Sequence, residues 1–359
     1  TPPQVLAYLA VDASGAIRGR VAENASTPPS VLQDMAEDRS SIVRHKVAWN
    51  PATPTSVLES LAAQGEKYAL SLSNNEALPA EMLSVLAKHK EKLVKENVAE
   101  HSNTPHDVLE NWASRKSYTN LHKEIANNRS APAGVLGALA AHPNEDVRCS
   151  VARNPATPTD TLRKLSKSED LFVRCAVAEN TATPDDILLG LSKTEDWLVR
   201  RSVASNWDAP PEILGALAQD EEPDVQLEVA RNPKTPADTL KALADSEVRH
   251  HENLLGHGSW SWFWRFWDLG LALANNPSTP ARVRAALVSR DPYLIPALLP
   301  EFLEQVIALD AVPERERRAA RGVVASEFLS EYARTNRPGI QRLACLLLDD
   351  CPIPTLAKA

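Results

Sequence analysis

Three groups of residues in this sequence could do chemistry. The first is a column of cations, Arg18, Arg44, Lys95, Arg148, Arg174 and Arg200, recurring at a near-constant spacing and interrupted by Ala69, His122, Gln226 and Gly270. A stripe of this kind could bind phosphates or acidic peptides. A planar group with five donors is equally suited to bridging acceptors on the next structural unit, as Asp–Arg ladders do. A basic stretch, 88–129, adds Lys88, Lys90, Lys92, Arg115, Lys116, Lys123 and Arg129 with four histidines, and it reads either as a specialised binding segment or as a solvated face. The second group is His257-Gly258-Ser259-Trp260-Ser261-Trp262-Phe263-Trp264-Arg265-Phe266-Trp267, which holds four of the chain's eight tryptophans. As a helix it is apolar on nearly every side, so it must be covered by this chain, by a partner protein or by a membrane interface. The third is His250, His251, Glu252 and His257, whose spacing fits no standard zinc pattern and lacks the second histidine of the helical zinc motif. No phosphate loop, nucleophile elbow, dinucleotide fingerprint or paired-cysteine pattern is present. The expectation is a chain with no catalytic residues, no metal and no cofactor.

The elements that must position these residues repeat. A Thr-Pro slot recurs at Thr1, Thr27, Thr53, Leu78, Thr104, Ala131, Thr157, Thr183, Ala209 and Thr235, in steps of 25 to 27 residues. A period this strict means stacked supersecondary units, none able to bury its apolar face alone. Each repeat reads as two short helices. Thr is taken as the N-cap of the first, with Pro at its first position. That helix buries an i, i+3 pair such as Leu162/Leu165 or Leu214/Leu217. The second helix starts at Ser14, Ser40, Asn144, Asp170 or Asp196 and buries an i, i+4 pair such as Ile17/Val21, Val43/Val47 or Val173/Val177. Asn24, Asn50, Asn154, Asn180, Asn206 and Asn232 close it, in the left-handed conformation that a C-terminal Asn tolerates. The asparagine column reads as structural.

The pattern V-R-x-x-V-A-x-N-P-x-T-P-x-x-x-L-x-x-L-A, best kept at 147–165, 173–191 and 225–243, resembles the leucine-rich repeat variant family. The resemblance covers roughly residues 1–290. It implies an all-α, right-handed solenoid (a superhelix) in which α- and 3₁₀-helices alternate within each repeat of about 26 residues. One member of that family carries a cysteine-rich iron–sulfur segment ahead of its repeats; here no cysteine precedes Cys149, so no cluster is carried over.

Between Thr235-Pro236 and Thr279-Pro280 the step is 44 residues, an insertion of 18 at about 245–268 that contains the tryptophans. After it the repeat fades, with Arg284 where Leu is expected, and 291–359 reads as degenerate repeats forming a helical cap. Arg315, Arg317, Arg318 and Arg321 there read as a solvated face. The chain opens in mid-repeat without Met, which reads as a trimmed or processed start with a segment lost ahead of it. A net charge of −8 argues against a sequence-independent nucleic-acid binder. Cys149 and Cys175 occupy one slot on adjacent repeats, too far apart to bridge, so with Cys345 and Cys351 they read as reduced thiols of a cytoplasmic protein. No apolar run reaches transmembrane length. These features point to a non-catalytic scaffold that binds an unidentified protein partner through Trp260, Trp262, Phe263, Trp264, Phe266 and Trp267. The alternative is nucleic-acid binding along the cation column and 88–129.

Overall fold

The computed structural model describes the backbone of residues 1–254 and 260–290, with side chains described except at 246–267, 285 and 288–290. The expected C-terminal cap, the arginines at 315–321, Cys345 and Cys351 lie outside the described residues. Among the described residues every regular element is a helix. The chain forms two compact units, Thr1–Ala182 and Thr183–Ala359.

In each unit the architecture is an α-solenoid. A regular repeat pairs a seven-residue helix (Ala133–Leu139, Thr159–Leu165, Pro211–Leu217) with a nine-residue one (Glu145–Arg153, Leu171–Glu179, Pro223–Arg231). The nine-residue helices stack on one another: Gly15–Glu23 on Ser41–Trp49 and Glu145–Arg153 on Leu171–Glu179 in the first unit, Trp197–Ser205 on Pro223–Arg231 in the second. The leucine column Leu32, Leu58, Leu83, Leu109, Leu136 and Leu162 and the valines Val43, Val94 and Val173 are sealed between the two layers. A helix of seven residues is too short to persist alone; it stands because this face is covered by the repeats on either side. Ile17, expected in the core, is instead 38% exposed.

The 3₁₀ share is confined, among the described residues, to Glu66–Tyr68 and Lys116–Leu121; elsewhere short and longer α-helices alternate. Both 3₁₀ segments immediately precede repeats whose cation slot holds Ala69 or His122. In regular repeats that slot's arginine holds two carbonyls of the preceding loop: Arg148 Nη1 donates to His142 O at 2.6 Å and Pro143 O at 2.9 Å. Without that tie the loop carbonyls find backbone donors instead, and the segment winds into 3₁₀ turns.

Two capping expectations need correcting. The helix-closing asparagines are extended, not left-handed: Asn50 has φ −72° and ψ 125°, Asn154 φ −71° and ψ 124°. The slot threonines do not cap the helix that follows. Pro occupies the cap position and its carbonyl takes the first helical N–H groups (Val31 and Leu32 N to Pro28 O). The threonine hydroxyl instead donates backward to the end of the preceding helix, Thr27 Oγ1 to Val21 O and Thr53 Oγ1 to Val47 O, both at 2.6 Å. It thereby gives a C-terminal carbonyl a second donor beside the N–H of the closing asparagine, Asn24 N on Val21 O and Asn50 N on Val47 O.

At the far end of the described stack, Arg284 fills the leucine slot and is fully buried. Its Nε donates to Ala274 O at 2.7 Å and its Nη2 to Asn276 O at 2.8 Å. These are the carbonyls that a following repeat's asparagine takes elsewhere, and here Arg284 takes them.

Candidate functional site

The asparagine column is a ladder between repeats. Asn50 Nδ2 donates to Ala22 O (2.7 Å) and Asn24 O (3.0 Å) of the repeat before, and its Oδ1 accepts from Ala52 N. Asn75, Asn128, Asn154 and Asn180 repeat this triple role in the first unit, and Asn232 does so in the second. At His101 an imidazole substitutes, with Nε2 on Asn75 O and Nδ1 accepting from Asn103 N.

The cation column is placed along the same joints. Arg18 forms a bidentate pair with Asp38 of the next repeat (2.6 and 2.9 Å) and also donates to Asp12 O and Ala13 O. Arg200 does the same with Asp220, Thr194 O and Glu195 O. Arg148 reaches Asp170 at 2.7 Å, Arg44 donates to Tyr68 OH and Asp38 O, and Arg174 to Ser168 O and Glu169 O. Lys95 lies over the Tyr118 ring at 5.5 Å. The aspartate that receives the guanidinium, in the slot of Asp38 and Asp220, was not singled out in the sequence, although its fixed spacing of 20 residues from Arg18 and Arg200 is visible there. The guanidinium of Arg18 beside Asp38 holds that carboxyl below its usual range against the opposing cost of burial. At Asp220 burial is the larger influence and raises the value, but the hydrogen bonds from Arg200 and the Glu222 N–H, with the Arg200 charge, outweigh it. In the basic stretch, Lys92 is paired with Glu96 at 2.8 Å.

The insertion is divided between the two helices of its repeat. The first helix of its repeat runs Ala237–Leu254, 18 residues, and the second Trp260–Asn275, 16 residues. The two pack against each other. The extra turns lengthen the first helix by about 16 Å and the second by about 10 Å beyond a regular repeat at 1.5 Å per residue. The tryptophan segment therefore begins the second helix of a helical hairpin, while the Trp260–Trp267 side chains lie outside the described residues. The ladder is unaffected: Asn276 Nδ2 donates to Ala230 O at 2.7 Å and Asn232 O at 2.8 Å, 46 and 44 residues back. At the base of the hairpin, a cavity of about 310 Å³ is lined by Lys241, Ala244, Asp245, Arg282, Val283, Ala286 and Leu287. Those groups do not pair a nucleophile with a base. Of the histidine group flanking the insertion, His250, His251, Glu252 and His257 lie outside the described side chains. No helix among the described residues is long and apolar enough to cross a membrane.

Residues 197–222, one full period from Trp197 through Arg200, Asn206, Leu214 and Asp220 to Glu222, match the family described as leucine rich repeat variant. The repeat is of the leucine-rich repeat variant kind. Among solved structures, one described as a leucine-rich repeat variant with a novel repetitive protein structural motif is 22% identical, over 64% of this chain and 80% of that one, with a TM-score of 0.32. An engineered protein is 16% identical over 75% of this chain and 95% of its own, with a TM-score of 0.12. No curated protein matches the chain. The family match is thus to one period of the chain, and the slots of that period recur in the sequence on either side of it.

Proposed function

We propose that the chain is a non-catalytic leucine-rich repeat variant scaffold that captures a protein partner, with Trp260, Trp262, Phe263, Trp264, Phe266 and Trp267 as the anchor. The observation that carries this reading is the unbroken ladder across the insertion. Asn276 finds the Ala230 and Asn232 carbonyls as though no residues had been added. The stack does not need the hairpin, yet the hairpin holds the densest aromatic segment of the sequence. Rigid aromatic clusters carry a disproportionate share of interface energy. The cation column supports the scaffold in a different way, because its arginines are occupied in joining repeats.

The test is affinity capture from nuclease-treated lysate with the intact chain and with Trp260, Trp262, Trp264 and Trp267 all replaced by Ser. A stoichiometric protein held by the first and lost from the second, with the helical melt of both alike, is the expected result. Retention by the variant would remove the anchor. Capture that depends on nucleic acid would favour the cation column and 88–129 instead.

A further inference from the structure

One joint of the stack departs from the Arg–Asp rule in a way that changes its chemistry. The slots that hold Arg18 and Asp38, or Arg200 and Asp220, hold His122 and His142, again 20 residues apart. The two rings meet edge to face, centroids 5.2 Å apart and planes at 82°. The hydrogen bonds assign their protons. His142 Nδ1 accepts from Asn144 N at 3.1 Å, doing what an Asp38 oxygen does for Ser40 N and an Asp220 oxygen for Glu222 N. An accepting ring nitrogen carries no hydrogen, so His142 Nδ1 presents its lone pair to that N–H. His122 is 6% exposed, its Nε2 lies 3.3 Å from Trp112 O as a donor, and its Nδ1 is buried with no hydrogen-bond partner. A second proton on His122 would have to sit at that unpartnered nitrogen. A second proton on His142 would point at the Asn144 N–H.

The helix His122–Asn127 is packed by Lys92–Glu100, His106–Ala113, Lys116–Leu121, Ala133–Leu139 and Glu145–Arg153. Their titratable and charged groups are Lys92, Lys95, Glu96, Glu100, His106, Asp107, Glu110, Lys116, Tyr118, Glu145, Asp146, Arg148, Cys149 and Arg153, with Lys123 and Glu124 on the helix itself. Lys92 is taken by Glu96, Lys95 by the Tyr118 ring, and Arg148 by Asp170 and the His142 and Pro143 carbonyls. The charge that acts on the His122 ring is that of His142. No carboxylate offsets a proton there.

We propose that the joint between the repeats starting at Thr104 and Ala131 is a pH-sensitive hinge, closed while the buried Nδ1 of His122 is unprotonated and opened when it takes up a proton against the His142 ring. Burial depresses His122 below the ordinary imidazole value; the hydrogen bond to the Trp112 carbonyl opposes it, and His142 adds a lesser depression. A depressed histidine contributes stability that is complete above its unfolded value of about 6.5 and is lost as pH falls through the lower folded value. The next joint keeps its Arg148–Asp170 pair across this window and the preceding one its Lys95–Tyr118 contact, so opening is local to the stack.

Hydrogen exchange of the intact chain at pH 7.5 and 5.0, corrected for intrinsic rates, tests this. Amides of 122–128 and 145–151 are expected to lose protection by about tenfold at pH 5.0, while 200–206 and 225–231 stay within twofold. The double variant H122R/H142D rebuilds the charge pair and should abolish the difference. Equal protection at the two pH values, or the same loss in the double variant, would overturn the proposal.

Discussion

Replacing Asn154 by Ala removes one rung of the ladder without touching the apolar core. Asn154 is 3% exposed, donates to Ala126 O and Asn128 O at 2.7 Å each, and accepts from Ala156 N at 2.9 Å. Asn128 O keeps a second donor, Ala131 N at 3.0 Å, and so is only partly deprived. Ala126 O loses its inter-repeat donor in a buried site, and the Ala156 turn loses its acceptor. At about 1–3 kcal/mol for a stranded buried group and about 1 kcal/mol for each further bond, the joint should lose roughly 2–4 kcal/mol. Asn154→Asp should cost more at neutral pH, because it turns an oxygen toward two carbonyls. Its penalty should shrink as pH falls into the carboxylate range, where the protonated acid can donate to one of them. The exposed neighbour Asn127→Ala should stay within about 0.5 kcal/mol. Urea unfolding with segment-resolved hydrogen exchange reads all three. A loss below about 0.5 kcal/mol for Asn154→Ala, which is the scale of an ordinary surface substitution, or Asp tolerated better than Ala at pH 7, would refute the ladder as the joint's main polar contact.

Three further outcomes follow from the same geometry. Thr157→Val should cost about 1 kcal/mol in a thermal melt, because Val151 O loses its hydroxyl donor and keeps only Asn154 N at 3.2 Å; Thr157→Asp, a good N-cap, should destabilise as well, since it has no hydrogen to donate backward. Asp38 and Asp220, held below the usual carboxylate range, contribute stability present above their unfolded value of about 3.9 and lost as pH falls through the folded value. Asp38→Asn should flatten the acid limb of stability below the ordinary carboxylate range, and an unchanged limb would argue against the pair. Arg284→Leu restores the repeat's own consensus yet should lower the melting temperature, because Ala274 O and Asn276 O lose their donors; a higher melting temperature would show that Arg284 is a tolerated defect.

The sequence made the period, the two-helix repeat and the buried leucine and valine columns legible, because apolar spacing constrains only one face of each helix. Hydrogen-bond direction was harder to read. Thr27 and Asn50 satisfy a local capping rule and a contact elsewhere in the stack with the same residue type, so spacing alone could not show that the hydroxyl points backward and the amide reaches the preceding repeat. The arginine column was visible, and its occupation in inter-repeat pairs was one of two readings that composition left open. Ile17 was misplaced because its slot is buried only where another repeat covers it. The insertion was recognised by length and composition, but its division into two helical extensions depends on where the loop falls, and that is set by the backbone rather than by the tryptophans.

The central claim is that the stack closes without the hairpin. Deleting 249–266 restores the 26-residue step, and hydrogen exchange on that chain tests the claim most directly. Protection of amides 225–232 and 267–276 should match that of the intact chain, with Asn276 still on the Ala230 and Asn232 carbonyls. Collapse of protection in both segments would show that the hairpin is part of the core and would contradict the account.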